Sequence, residues 1–175
     1  MDRSAGLSEN HRVSPPDKKA LVQSIIRRLE ADLEVLVDSA KAAHDAATHE
    51  ESKAEDKYDT RGLEASYLAG AQAKRAFEIQ SMIQEYKLMS FEDFGPDASA
   101  AATALVEIAT EDKASWNFLA FRGGGFRVRA GTHEVQVISV TSPLGSELVG
   151  RRAGDFFELN LPNGQKREVD VRQVL

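Results

Sequence analysis

Val22 to Ala47 reads VQSIIRRLEADLEVLVDSAKAAHDAA, and its apolar and small residues step by four and three: Val22, Ile26, Leu29, Leu33, Leu36, Ala40, Ala43, Ala47. That spacing keeps one side of a helix apolar and is the seam of a coiled coil. A second seam follows in Tyr58, Gly62, Ala65, Ala69, Gln72, Ala76, Ile79, Ile83 and Tyr86. The large residues stand at the outer ends of the two segments and the small ones near the join. Pairing Ala40, Ala43 and Ala47 with Gly62, Ala65 and Ala69 requires two arms that run antiparallel and lie close together. Each arm of roughly 30 residues extends about 45 Å at 1.5 Å per residue. Gln72 is the polar member of the second seam and reads as a register-setting residue.

Where the chain turns back it gathers Asp45, Glu50, Glu51, Glu55, Asp56 and Asp59 against Lys53 and Lys57. A turn between helices needs a few small polar residues and a helix stop. Carboxylates at this density repel one another, so they are either a solvated helical surface or a probe that carries negative charge to a cation or a basic cavity.

Outside the arms, Met1 to Pro16 is polar, has no apolar signal core and reads as a disordered leader (1–16). Ser14-Pro15-Pro16-Asp17 is a helix start, with prolines before or at the first turn. The hairpin is expected over 17–90, with its tip near 50–59. Gly95-Pro96 and the small residues after it make 91–104 a linker. From 105 to 175 the period drops to two. Strands are expected at 104–109, 116–121, 126–129 and 134–140, then a short helix at 144–149. A last hairpin pairs 156–161 with 167–172 around Pro162-Asn163-Gly164, Asn-Gly being a strong local turn signal. The fold class is α+β: a long antiparallel α-helical coiled-coil hairpin, then a small, mostly antiparallel β domain with one short helix.

Composition narrows the function. There is no cysteine, hence no disulfide framework or thiolate chemistry. No apolar run approaches the ~20 residues that cross a bilayer. The formal net charge is −6, and acids outnumber bases in both halves, 16 to 13 over 1–90 and 12 to 9 over 91–175. Sequence-specific duplex DNA binding is not expected of such a chain; a basic protein surface or a metal at the tip fits it better. His44 and His49 are five apart and share no helical face, and without HExxH or cysteine they do not make a zinc site. Gly123-Gly124-Gly125 lacks the Lys-Ser/Thr of a phosphate loop and reads as a strand connection.

The segment Ser139-Val-Thr-Ser-Pro-Leu-Gly-Ser-Glu-Leu-Val-Gly150, followed by Gly154-Asp155, an alternating strand and the Pro-Asn-Gly hairpin, resembles the C-terminal domain of the Gre transcript-cleavage and elongation factors. The preceding acidic-tipped hairpin stands where that family has its N-terminal domain, so the resemblance runs from about Asp17 to Leu175. It implies an FKBP-like C-terminal domain that docks on bacterial RNA polymerase at the rim of the secondary channel, with the corner Ser142, Pro143, Leu144 and Gly145 facing the polymerase. The hairpin would enter the channel. Glu51 and Glu55 are the tip acids that would assist the polymerase's own cleavage of backtracked RNA, and Glu51, Glu55, Asp56 and Asp59 the ligands of a magnesium shared with it. No tightly bound cofactor is expected. The chain is read as a factor that modulates the polymerase and not itself an enzyme, cytoplasmic, off the membrane and monomeric.

The family's tip pattern departs here. Aligned without gaps, it puts Glu51 on its Asp and Tyr58 on its Tyr, but Ala54 on its critical Glu, Glu55 on its Asn and Lys57 on its second Glu. A one-residue helical step turns a side chain by about 100°. A channel-binding regulator or inhibitor without cleavage therefore stands beside the cleavage factor. A third alternative is an FKBP-like peptide-binding chaperone or prolyl isomerase with a cavity of Trp116, Phe118, Phe121, Phe126, Phe156 and Phe157.

Overall fold

A computed structural model describes residues 14–48, 61–90, 94–111 and 113–175, without the side chains of 46–48 and 61–66. Two long helices, α1 (Lys18–Thr48) and α2 (Arg61–Leu88), pack against each other and precede a six-stranded sheet. Asp17 opens α1: its carboxylate accepts from Lys19 N at 2.9 Å and its carbonyl from Leu21 N, satisfying two of the amides a helix start leaves unpaired. Just before it Pro16 is buried, and His133 Nε2 lies 2.7 Å from the Ser14 carbonyl.

Burial along α1 follows the seam. Val22 and Leu29 are buried, and Ile26, Leu33, Leu36, Ala40 and Ala43 are half-buried. The second seam is buried at Ile79, Ile83 and Tyr86 and half-buried at Gln72 and Ala76, but Ala69, expected inside, is exposed. Two helices cover only one stripe of each other, so far from the sheet a small seam residue keeps part of its surface in water. The buried Gln72 Oε1 finds no hydrogen-bond partner among the described residues.

The strands are β1 (Leu105–Thr110), β2 (Lys113–Ala120), β3 (Phe126–Ala130), β4 (His133–Ser139), β5 (Phe156–Asn160) and β6 (Lys166–Val174), with α3 (Pro143–Leu148) between β4 and β5. Their order across the sheet is β3-β4-β2-β1-β6-β5. All neighbours are antiparallel except β2 and β4, which run parallel with Trp116 opposite Val135 and Phe118 opposite Val137. The sheet is therefore mostly antiparallel, as the sequence reading has it, with one parallel pair: β3 takes the outer edge and β4 returns between it and β2. Gly124 sits in the connection at φ +115°, where an added Cβ would come within 2.9 Å of the Val137 carbonyl. Only glycine accepts both that backbone and that approach.

The two sheet faces carry two cores. One takes Leu105, Trp116, Phe118, Val128, Val135 and Val137 against Leu21, Ile25, Leu29, Met82, Ile83 and Tyr86, so the base of the hairpin and the sheet share a core. The other takes Val106, Ile108, Leu119, Ile138, Phe157, Val169 and Val171 against Ala100, Ala104 and Leu148. Each fully buried aliphatic or aromatic side chain here contributes about 1.5–3 kcal/mol relative to exposure. Charged links bracket the base: Lys87 to Glu30 across the two arms at 2.9 Å, and the Arg122 guanidinium on both Glu85 oxygens between sheet and α2.

Candidate functional site

Two places were expected to act, the hairpin tip and the Ser-Pro corner. Glu51, Glu55, Asp56 and Asp59, and Ala54 with them, lie outside the described residues. What is described is the scaffold on either side. The 31 residues of α1 and the 28 of α2 pack together and bound the reversal that carries the acids. Among the described residues no three His, Asp or Glu side chains come together as a metal site, and no helix is long and apolar enough to cross a membrane.

The corner is described in full. β4 ends at Ser139, and Ser142 caps α3: its Oγ donates to the Ser139 carbonyl at 2.7 Å and accepts from Gly145 N at 3.1 Å. Pro143 takes the first helical position, where no amide hydrogen is needed, and is exposed. Gly145 is buried, and a Cβ there would lie 2.0 Å from the Ser139 carbonyl, so this position admits no side chain. Leu144 is half-buried and packs against the second core. Ser142 and Gly145 thus build the corner, while Pro143 and part of Leu144 are the surfaces it presents. After α3, Arg151 returns to the helix, donating to the Glu147 carbonyl at 2.7 Å and pairing with its carboxylate at 3.0 Å. The same guanidinium stacks 4.3 Å from the Phe157 ring centroid, which fixes the helix end against β5.

The six aromatics proposed as one peptide cavity are split. Trp116 and Phe118 face the hairpin, with Phe126 partly buried beside them, and Phe157 lies in the opposite core. Phe121 and Phe156 are exposed. Alternation sends neighbouring strand residues to opposite faces, and a cavity shared by all six is ruled out by that placement.

Sequence reasoning passed over an apolar hollow beside the corner. Leu88, Met89, Ala102, Thr103 and Phe121 line a concavity of about 660 Å³ with Glu85 and Arg122. Leu88 is 82% exposed and Phe121 60%. The hollow adjoins the corner because Val140 N bonds to the Ala120 carbonyl, one residue before Phe121. Leu88 falls out of the seam's step, and Phe121 follows the last residue of its strand; each was a faint signal.

Comparison with known proteins bears on the second half of the chain. Residues 130–175 match the family model "Transcription elongation factor, GreA/GreB, C-term". No curated protein sequence matches the chain. Among solved structures, GreA factor homolog 1 of Thermus thermophilus is similar at 20% identity, covering 86% of this chain and 94% of that one, with a TM-score of 0.35. The Gfh1 of Thermus aquaticus shows 22% identity over 85% and 92%, TM-score 0.35. A GreA/GreB elongation factor from Nitrosomonas europaea shows 22% over 67% and 94%, TM-score 0.34. Superpositions of that quality do not establish a common overall arrangement, and the assignment rests on the family match. That match spans the end of β3, all of β4, α3, β5 and β6, including the Ser142 cap and the buried Gly145. What the comparisons show is that residues 130–175 are similar to a GreA/GreB C-terminal domain.

Proposed function

We propose that the protein is a transcription elongation factor that binds bacterial RNA polymerase and acts through its secondary channel. The observation that carries this reading is a segment similar to a GreA/GreB C-terminal domain, joined through a shared core to a helical hairpin whose reversal, in the sequence, gathers carboxylates. The corner of Pro143 and Leu144 is the docking surface, held in shape by Ser142 and Gly145. Each arm of the hairpin is about 45 Å long, the length of a 30-residue helix, and its base is packed into the sheet's core.

The donor set at the tip, Glu51, Glu55, Asp56 and Asp59, is all carboxylate oxygen, which fits a hard cation such as magnesium and not a thiolate- or imidazole-seeking one. A magnesium shared with the polymerase would there stabilise charge developing on a phosphoryl oxygen. The chain's share is to bring acids to the polymerase centre and hold them; the bond cleavage is the polymerase's. On this reading the protein is a modulator of an enzyme, works as a monomer in the cytoplasm and binds neither membrane nor specific duplex DNA.

Ala54, where the family places its critical Glu, favours a second reading: the same docking without cleavage, and therefore regulation or inhibition. One experiment separates them. A deliberately backtracked bacterial elongation complex is incubated with and without the protein across a magnesium titration. Faster release of 3′ RNA fragments, lost in Glu51→Ala plus Glu55→Ala while polymerase binding persists, is the expected result for a cleavage factor. No acceleration, together with displacement of another channel binder, assigns the regulator. Absence of polymerase binding altogether overturns both.

A further inference from the structure

Asn163-Gly164 does more than turn the chain. The four asparagines are Asn10, Asn117, Asn160 and Asn163, and only the last is followed by glycine; His11, Phe118 and Leu161 follow the others. That neighbour decides the chemistry of the carboxamide. The main-chain nitrogen of the next residue can attack the side-chain carbonyl carbon and close a ring. A side chain on that next residue crowds the approach, and glycine has none.

The hairpin between β5 and β6 brings the two groups together. Gly164 N donates to the Leu161 carbonyl at 2.9 Å, and Leu161 N donates to the Gln165 carbonyl at 2.8 Å. Pro162, Asn163 and Gly164 thus form a three-residue loop, with Gly164 as its left-handed member at φ +79°. Within the loop Gln165 N donates to Asn163 Oδ1 at 3.1 Å, and Asn163 Nδ2 donates to Gln165 Oε1 at 2.9 Å. The first of these is the turn an asparagine side chain makes with the amide two residues on. It closes around the Gly164 peptide, so the carboxamide is held on the side of the attacking nitrogen, and it draws electrons toward Oδ1. Asn163 and Gly164 are both exposed, so water reaches the pair. The other described asparagines differ. Asn117 is 3% exposed within β2 and precedes Phe118, and Asn160 ends β5 before Leu161.

We propose that Asn163 is a site of self-modification. The Gly164 nitrogen gives up its proton and its hydrogen bond to Leu161 and forms a bond to Asn163 Cγ. The Cγ–Nδ2 bond breaks, and Nδ2 leaves as ammonia carrying that proton. Water then opens the succinimide at either carbonyl: its hydroxyl goes to the carbon and its other hydrogen returns to the nitrogen. Residue 163 becomes aspartate or isoaspartate, with water consumed, ammonia released and no change of oxidation state. The aspartate product keeps an oxygen that can accept from Gln165 N. The isoaspartate product inserts an extra carbon into the main chain of a closed loop, and its free α-carboxylate is a substrate for a carboxyl methyltransferase.

The test is ageing of the full chain in mildly alkaline buffer, followed by peptide mapping with mass spectrometry and by methylation with a protein isoaspartyl methyltransferase. The expected result is the mass gain of an amide-to-acid exchange in the peptide that carries Asn163, methyl incorporation at that residue, and unchanged amides at Asn117 and Asn160. Asn163→Gln, at an exposed position, keeps an amide but could close only the slower glutarimide ring, so its methyl incorporation at this position is lost. Persistence of the Asn163 amide in the folded chain, over a time in which the urea-unfolded chain loses it, overturns the proposal, because the hairpin then protects the pair. So does amide loss without isoaspartate, which excludes the ring, or equal loss at Asn117 or Asn160.

Discussion

Leu21, Ile25, Ile83 and Tyr86 at the base of the hairpin lie in the same core as Phe118 and Val137 of the sheet, whereas Leu33, Leu36, Ala40 and Ala43 farther out on α1 are only half-buried. On the outer half Val35, Val37, Tyr67 and Leu68 are exposed outright. The same heptad pattern therefore does two jobs. Near the sheet it supplies one layer of a three-part core; away from it, it holds two helices side by side with little to spare. A hairpin anchored this way has its stability concentrated at one end, and that contrast can be broken or sharpened residue by residue.

The largest effect is expected at the base. Ile25 is fully buried between α2 and the sheet. Ile25→Ala removes three carbons from a site with little room to relax, and a loss of about 2–5 kcal/mol is expected. Leu36→Ala, on the same helix but half-buried, should cost clearly less. Urea unfolding of both variants checks the contrast; equal losses would mean that the outer hairpin is as tightly packed as its base.

Tyr86 gives the base a pH dependence of its own. Burial, and secondarily the neighbouring Glu85 carboxylate, push its phenol from 10.0 up to about 12. A phenol whose folded value is raised contributes stability that is fully present below pH 10 and is lost as pH rises from there through about 12. At about 1.4 kcal/mol per unit, the loss is about 2–3 kcal/mol. Phenylalanine does not ionise, so Tyr86→Phe should unfold at a midpoint that changes less over that window. Parallel alkaline unfolding curves for the two proteins would remove the claim.

Much of this contrast was written in the sequence. The step of four and three gives the hairpin, its antiparallel sense and its two ends, because large residues at one end and small ones at the other fit only one pairing. The switch to period two gives the sheet domain and nearly every strand boundary to within a few residues. Two things could not be read. The parallel pairing of β2 with β4 joins segments separated by β3, and alternation is the same whether a strand's neighbour is parallel or antiparallel. Alternation likewise divides Asn117 from Trp116 and Phe118 without saying which face will be covered. The aromatic cavity failed for that reason. For the corner, Ser142 and Pro143 announced a helix start, but the packing that bars a side chain from Gly145 appears only in three dimensions. The tip acids lie outside the described residues, and the family match, at 130–175, does not reach them.

The smallest effect is expected where the two regimes meet, at Gln72. Its side chain is part of the α2 seam, and its buried Oε1 accepts no hydrogen bond among the described residues. A buried acceptor left without a partner costs about 1–3 kcal/mol, but Gln72 as a whole is only half-buried, so the lower end applies. Gln72→Leu replaces the amide with an apolar group that can pack against the opposite arm and should stabilise the protein by about 1 kcal/mol. The same change removes the polar mark from the seam, and polar seam residues set register at the expense of stability. The two consequences are separable. Thermal unfolding reads the gain, and disulfide trapping between cysteines introduced on facing positions of the arms reads the register. A stabilised hairpin that still traps a single cysteine pair would make Gln72 a plain packing defect. A stabilised hairpin that traps several pairs would show that the outer arms, lacking the sheet behind them, depend on this one amide to remain aligned.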